Sequence, residues 1–518
     1  MVVALVAAAV LPTLTAGCGG QTTGGGSDGT GGVATYAFEY APTATWDPAV
    51  ESGVGSMVLM NCYETLTLYD PQKGITTPVL ATQWSASKDG LTWTFKIREG
   101  VKFHDGTVVD AEAVKYSIDR TMKMNTGLSY IWAGVKSIEV PEKYTVVFHL
   151  DYPKPMDLVA SSSLGAFILS PAAVESHPKG WIDSHEVGSG PYVLQTWKAG
   201  QTAVLDRFNE YWRGWDGKHL DKVVVTTVPE TATRRQMLEA GTIDVTTDLS
   251  AQDYEALQGN PKLQLTKTPS YKNLFIYLNT KKSPLDDVRV RKALAYAFPY
   301  DQAIAIALGG YAVQSRGVVP VGMWGYNEKG FQYTDDLAKA KQLLSEAGYG
   351  SGGLDILAVW LSGEEAERKA LEVYKAELKK LGVNLTVRGE PWTSQWERAK
   401  SENPPQDMLI FWWWPTYADP YDWLYNLLHS QKPPLYNLSY WDNQEFDKLI
   451  DKAASISATD RAAAAKMYVQ AQDMVARDAP LISILDAQSV FASSASFKGL
   501  RPNPAYQNVV FFYDCYRQ

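Results

Sequence analysis

The stretch FWWWPTYADPYDW, residues 411–423, concentrates the residue types best able to hold a small molecule. Trp412, Trp413 and Trp414 supply flat aromatic surface for stacking on rings or for holding a cation over an aromatic face. Thr416, Tyr417, Asp419 and Asp422 follow with hydroxyls and carboxylates. In a strand, alternation sends Trp412 and Trp414 to one face and Trp413 to the other. At least one of the three is therefore expected in a core, and one or more in a cleft. Other chemistry is thin. The six His, at 104, 149, 177, 185, 219 and 429, show no metal-ligand spacing, and there is no H-E-x-x-H and no P-loop. GGSDG at 25–29 matches a nucleophile elbow in letters, but coil flanks it where a strand and a helix are required. No metal or cofactor is expected. Paired carboxylates of the glycosidase kind are recognised by their separation, so a secreted carbohydrate-active enzyme stands as the alternative to a binding protein.

The chain is long enough for several domains: 518 residues, with 45% hydrophobic and 20% charged, an ordinary globular composition. A net charge of −9 argues against nucleic acid, whose phosphates need a basic surface. Three Cys, at 18, 62 and 515, make no disulfide framework and no zinc motif. A Cys62–Cys515 bridge is left open.

Residues 2–11 are all apolar. Ten residues fall well short of the about 20 that span a bilayer, and they fit the core of a signal peptide. LTAGC at 14–18 resembles a bacterial lipobox, with Thr15 where an aliphatic residue is usual. Cys18 would then carry the lipid. GGQTTGGGSDGTGG, residues 19–32, has the composition of a flexible tether with a reach of about 20 Å. The expected location is extracytoplasmic, with the membrane touched through the lipid anchor only.

The body alternates strands and helices. Strands are expected at 91–97, 143–150 and 222–229. Asp110 is placed to cap a helix carrying Val114, Ile118 and Met122 at four-residue spacing. Helices over 337–347 and 369–381 end at Gly348 and Gly382, the second running on into a strand. The pattern is mixed α/β.

Several blocks together resemble the family 5 extracytoplasmic solute-binding proteins of ABC importers. They are YETLTLYDPQKGITTPVLATQWSASKDGLTWTFKIREGVKFHDGTVVDAEAVKYSIDRTM (63–122), VGSGPYVLQTWKAGQTAVLDRFNEYWRG (187–214), MLEAGTIDV (237–245), LNTKKSPLDDVRVRKALAYAF (278–298), AKQLLSEAGY (340–349) and NLSYWDNQEFDKLI (437–450). The resemblance implies a two-lobed periplasmic-binding-protein-like fold (type II, cluster C). Residues 1–17 would be a signal peptide and 18–32 a lipidated tether. Lobe I would comprise 33–62, 187–283 and 488–518, with a subdomain at 63–186, and lobe II would be 284–487. The hinge is expected near 280–288 and 483–490, and closure of the lobes over a small solute would present a monomer to the permease subunits. A binding protein serving a sensor would share the fold.

The resemblance also implies site residues. In peptide-binding relatives a Trp and the backbone of the segment matching 411–423 line the cleft. An Asp three residues before the acidic residue of the Asp-Pro step pairs with the peptide ammonium. Here the step is Asp419-Pro420, so that position holds Thr416, and the carboxylate is missing unless ligand-binding Asp419 or Asp422 reaches in from a shifted loop. A buried ammonium deprived of its carboxylate loses about 2–5 kcal/mol. The expected solute is therefore a peptide-like molecule without a free amine, or an oligosaccharide. Asn437, Trp441, Tyr417 and Asn279 are further ligand-binding candidates by the same resemblance.

Overall fold

The computed structural model describes residues 32–518 apart from 127, 402, 433 and 435. Its spine is an eleven-stranded mixed sheet. At one side, strand Leu354–Leu361 runs parallel to Val383–Glu390 and to Met408–Trp413. At the other, Gly32–Phe38 runs parallel to Leu220–Thr227 and to Val245–Thr247. Two long antiparallel strands, Leu263–Leu278 and Leu481–Ser494, lie between the two parallel sets and belong to both. Their pairing slips between Pro269 and Asn273. That break is chemical as well as geometric, because Pro269 cannot donate to a ladder. It lies N-terminal to the 280–288 stretch expected to form the first hinge segment.

One extended buried cluster takes in both parallel sets, with Tyr36 and Phe38 from one and Phe411 and Trp413 from the other, and each set adds a smaller cluster. Leu274, Ile276, Ile356, Leu371, Tyr374, Ile410 and Trp412 pack together with Ile482 and Leu485. On the other side Ala37, Leu238, Ile243, Tyr254 and Val490 form a smaller cluster. The helices follow from their caps and stripes. Asp110 accepts from the Ala113 amide at 3.1 Å and opens helix Ala111–Met124, which buries Val114 and Ile118. Leu371, Tyr374 and Leu378 are the buried stripe of Glu365–Lys380, and Gly382 leaves that helix at φ +72°, a conformation that favours glycine. Arg291 is spent on carbonyls of Leu285, Asp286, Asp478 and Ala479, tying the first helix of one half to the end of helix Arg461–Asp478.

Residues 81–150 add a separate four-stranded antiparallel sheet, in the order Ala81–Ala86, Thr92–Ile97, Thr145–Leu150, Val135–Glu142. Cys62 and Cys515 are free buried thiols, so the bridge left open by the sequence is not formed. Cys18 and the stretches expected to be a signal peptide and, before Gly32, a tether lie outside the described residues. Among the described residues no helix is long and apolar enough to cross a membrane.

Candidate functional site

Parallel strands deliver the residues that follow them to one edge of a sheet, and ligands of open α/β sheets bind in the crevice outside those carboxyl ends. Here two such edges face each other across the long strands. One edge carries Glu39 and Tyr40 after strand Gly32–Phe38, and Asp248 after Val245–Thr247. The other carries Glu364 shortly after Leu354–Leu361, Trp392 after Val383–Glu390, and Trp414 to Asp419 after Met408–Trp413. The pairing of Ala37 with Thr246 sets Glu39 beside Asp248. The pairing of Asn273 with Trp413 sets Lys272 at the Trp414 end.

The electrostatics tie these residues into one crevice. Lys272 holds its ammonium 4.5 Å from the centroid of the Trp412 ring. Burial pushes the Glu39 carboxyl up, and the Asp248 charge adds to it, while Arg234 and Lys272 oppose. The Tyr40 phenol is pushed up to about 12 by burial first and then by the charges of Glu39 and Glu364. Tyr40 and Glu364 come from opposite edges, so the two edges are within electrostatic reach. Asp248 keeps accessible surface although loss of hydration raises its carboxyl, the combination expected for a group on a crevice wall. Its position is fixed. Asp248 adopts φ +52°, accepts from Asn508 Nδ2 at 2.9 Å, and gives its carbonyl to buried Arg234 at 2.7 Å.

Strand alternation sorts the tryptophans. Trp412 is buried in the core of its own half, beneath Lys272. Trp413 points to the opposite face and is buried against Tyr436, ring centroids 4.9 Å apart, and Phe411. Trp392 extends this aromatic wall by stacking on Phe411 at 5.4 Å and Trp396 at 5.0 Å while keeping 39% of its surface exposed. Trp414, one residue past the strand, is 45% exposed. Exposed aromatic surface beside the strand ends is thus supplied by Trp392, Trp414 and Tyr40.

The turn after the strand is stitched to residues 130–162. Tyr130 and Thr416 share a hydrogen bond of 2.8 Å between hydroxyls, and Ser162 Oγ donates to the Thr416 carbonyl at 2.7 Å. Asp419 caps helix Pro420–Leu428 by accepting from the Tyr421 amide at 2.8 Å. Asp422 turns back and accepts from the Thr416 amide at 3.0 Å and from Asn426. Both carboxyls are buried, and burial pushes each up to about 7. Asp422 is committed to the turn, while Asp419 keeps its second carboxyl oxygen, Oδ2, buried without a hydrogen-bond partner. Tyr417, buried, lines a cavity of about 500 Å³ together with Tyr130, Tyr152, Lys154 and Asp422. Burial holds the Lys154 ammonium down to about 8.

Other expected ligand contacts are occupied by the protein. Asn437 donates to the carbonyls of Leu428, His429 and Trp441 and accepts from Ser439. Asn279 donates to Gln406 and accepts from the Lys281 amide. Trp441 is buried against Phe446 at 5.0 Å. Glu39, Tyr40, Asp248, Lys272, Trp392 and Tyr130 were not anticipated. A partial signal exists for some: Asp248 and Trp392 directly follow segments that alternate like strands. Among the described residues no group of His, Cys, Asp and Glu could hold a metal ion.

The family model described as bacterial extracellular solute-binding proteins, family 5 Middle, matches residues 76–434. The chain is 31% identical over 479 residues to the probable D,D-dipeptide-binding periplasmic protein DdpA of Escherichia coli K12, covering 90% of this chain and 91% of that protein. It is 30% identical to the glutathione-binding protein GsiB of Pectobacterium atrosepticum, covering 82% and 83%. Among solved structures, it is similar to the periplasmic binding protein DppA of Helicobacter pylori in complex with the peptide STSA. That match has a TM-score of 0.78 and 28% identity, over 94% of this chain and 98% of that one.

Proposed function

The chain belongs to family 5 of the bacterial extracellular solute-binding proteins, and from that premise we propose that it captures a peptide-like solute in the crevice between its two sets of strand ends. Relatives named for a D,D-dipeptide, for glutathione and for the peptide STSA support a peptide-like ligand. The halves close on the long central strands. The closed form delivers the solute to the permease of an ABC importer, and no bond of the solute changes. Lipid attachment at Cys18 keeps the protein at the membrane outside the cytoplasm. Loss of radiolabelled palmitate in Cys18→Ala tests that attachment, and retained label contradicts it.

The observation that carries the ligand preference is the surrounding of Thr416. Its hydroxyl is paired with Tyr130, Asp422 accepts from the Thr416 amide and Asn426, and Asp419 caps the next helix through one oxygen while the other is buried without a partner. A solute end lying there meets hydroxyls and aromatic rings and finds no exposed carboxylate, Asp419 and Asp422 both being buried. The solute therefore presents a blocked or uncharged amino end. Calorimetric titration with Ala-Ala and N-acetyl-Ala-Ala tests this reading. Tighter binding of the acetylated peptide supports it, and tighter binding of the free amine overturns it. A second reading, an oligosaccharide, is favoured by exposed Trp392 and Trp414. Cello- and xylo-oligosaccharides in the same titration decide between them. Recovery of altered solute by mass spectrometry would favour an enzyme.

A further inference from the structure

The cavity beyond Thr416 is built from two distant parts of the chain. Residues 130–155 form one wall and residues 417–455 the other. Its volume of about 500 Å³ falls within the range of small-molecule sites. Along helix Pro420–Leu428 and its cap, Tyr421, Tyr425 and His429 stand one turn apart, with successive ring centroids at 4.7 and 4.5 Å. They make a continuous aromatic strip. Tyr152 and Tyr130 line the cavity from the other wall and keep 47% and 37% of their surface. Tyr130 is both a wall of the cavity and the partner of Thr416.

The polar groups inside are unequal. Asp422 is satisfied by Thr416 and Asn426, and Asp451 faces His429 at 3.4 Å. Lys154, buried, donates to the carbonyls of Ile131 and Ala133, and among the described residues it makes no ion pair. The charges of Asp422 and Asp419 favour its charged form, but an ammonium has three donors and the two carbonyls take only two of them. An acceptor or anion entering the cavity would take the third.

We propose that this cavity is a subsite for a flat ring bearing an acceptor or anionic substituent, carried on the blocked amino end of the captured solute. The aromatic strip stacks on the ring and Lys154 takes the substituent. The inference rests on the peptide reading above and names the group that blocks the amine.

Three probes test it by titration calorimetry: N-acetyl-, N-benzoyl- and N-(4-carboxybenzoyl)-Ala-Ala. In the wild-type protein the carboxybenzoyl peptide should bind at least tenfold tighter than the acetyl peptide. Ser455→Trp, which fills the cavity from one wall, should bring that ratio to about one. Ala133→Trp fills it from the other wall and serves if the first variant does not fold. Lys154→Met should remove the preference for carboxybenzoyl over benzoyl while benzoyl still exceeds acetyl. Equal binding of acetyl and aroyl peptides by the wild type overturns the subsite alone, as does a ratio that survives both fillings. Binding of none of the three overturns the peptide reading and the subsite with it.

Discussion

The phenol oxygen of Tyr130 and Oγ1 of Thr416 lie 2.8 Å apart and join segments 286 residues distant in the chain. That one bond ties the turn after the strand Met408–Trp413 to a residue that lines the neighbouring cavity. It also occupies the side chain at the position where peptide-binding relatives are expected to carry a carboxylate. The ligand preference of the protein turns on this arrangement.

Thr416→Asp should place a carboxylate at that position. A hydrogen bond to a charged group contributes about 1.5–3 kcal/mol, and proximity to Asp422 takes part of it back. The expected outcome is at least a tenfold gain in affinity for Ala-Ala, about 1.4 kcal/mol, with a loss for N-acetyl-Ala-Ala. Titration calorimetry on both peptides checks it. An unchanged ratio would place the amino end of the solute elsewhere.

Trp392 and Trp413 belong to one aromatic wall but should respond differently. Trp413 is 6% exposed, so Trp413→Ala leaves a cavity and costs about 3–5 kcal/mol of stability. Trp392 is 39% exposed, so Trp392→Ala should weaken solute binding by about 1–2 kcal/mol and leave the melting temperature nearly unchanged. Urea unfolding and calorimetry separate the two. Equal affinity of wild type and Trp392→Ala would remove that face from the site.

Much of this was legible in the sequence, and the remainder has physical reasons. Helix 111–124 carries its Asp110 cap and its stripe locally, and helix 365–380 its stripe and the glycine that ends it, Gly382. The long strand Leu263–Leu278 carries no such local pattern, because TKTPSYKN breaks the alternation at its centre. Its partner Leu485 pairs with Leu274 from more than 200 residues away, and no local pattern encodes that register. The same holds for the crevice. Glu39, Asp248 and Lys272 meet through strand pairing, and Tyr130 reaches Thr416 through tertiary packing. Asn437 and Asn279 show the converse: nothing in a sequence tells whether an amide faces a solute or the carbonyls of its own loop.

The buried carboxyls predict a pH dependence with a definite sign. Asp419 and Asp422 are pushed up to about 7 by burial, and Glu64 and Asp486 to about 6, against about 4 for carboxyls in an unfolded chain. Between pH about 4 and about 7 the native state holds protons that the unfolded state has released, so stability falls as pH rises through that window. Lys154, held down to about 8, acts oppositely between about 8 and its unfolded value near 10.4. Melting temperatures from pH 5 to 8 should decline for the wild type and decline less for Asp422→Asn. Parallel curves would contradict the assignment.

Arg461 reaches Asp157 with bonds of 2.9 and 3.1 Å, linking helix Arg461–Asp478 to the 63–186 piece. Asp157 is buried, and Arg461 retains a quarter of its side-chain surface. Arg461→Met should cost about 1–3 kcal/mol in urea unfolding, less in combination with Asp157→Asn than the sum of the single changes. Strict additivity would show that the pair is not coupled.

The central claim is that a blocked peptide is held, intact, between two facing sets of strand ends. The most direct measurement is a crystal structure of the full chain with N-acetyl-Ala-Ala bound. The account predicts uncleaved peptide between Tyr40 and Trp392, near Lys272, with its acetyl end at Thr416. Peptide bound away from these residues, or density for cleaved product, would contradict it.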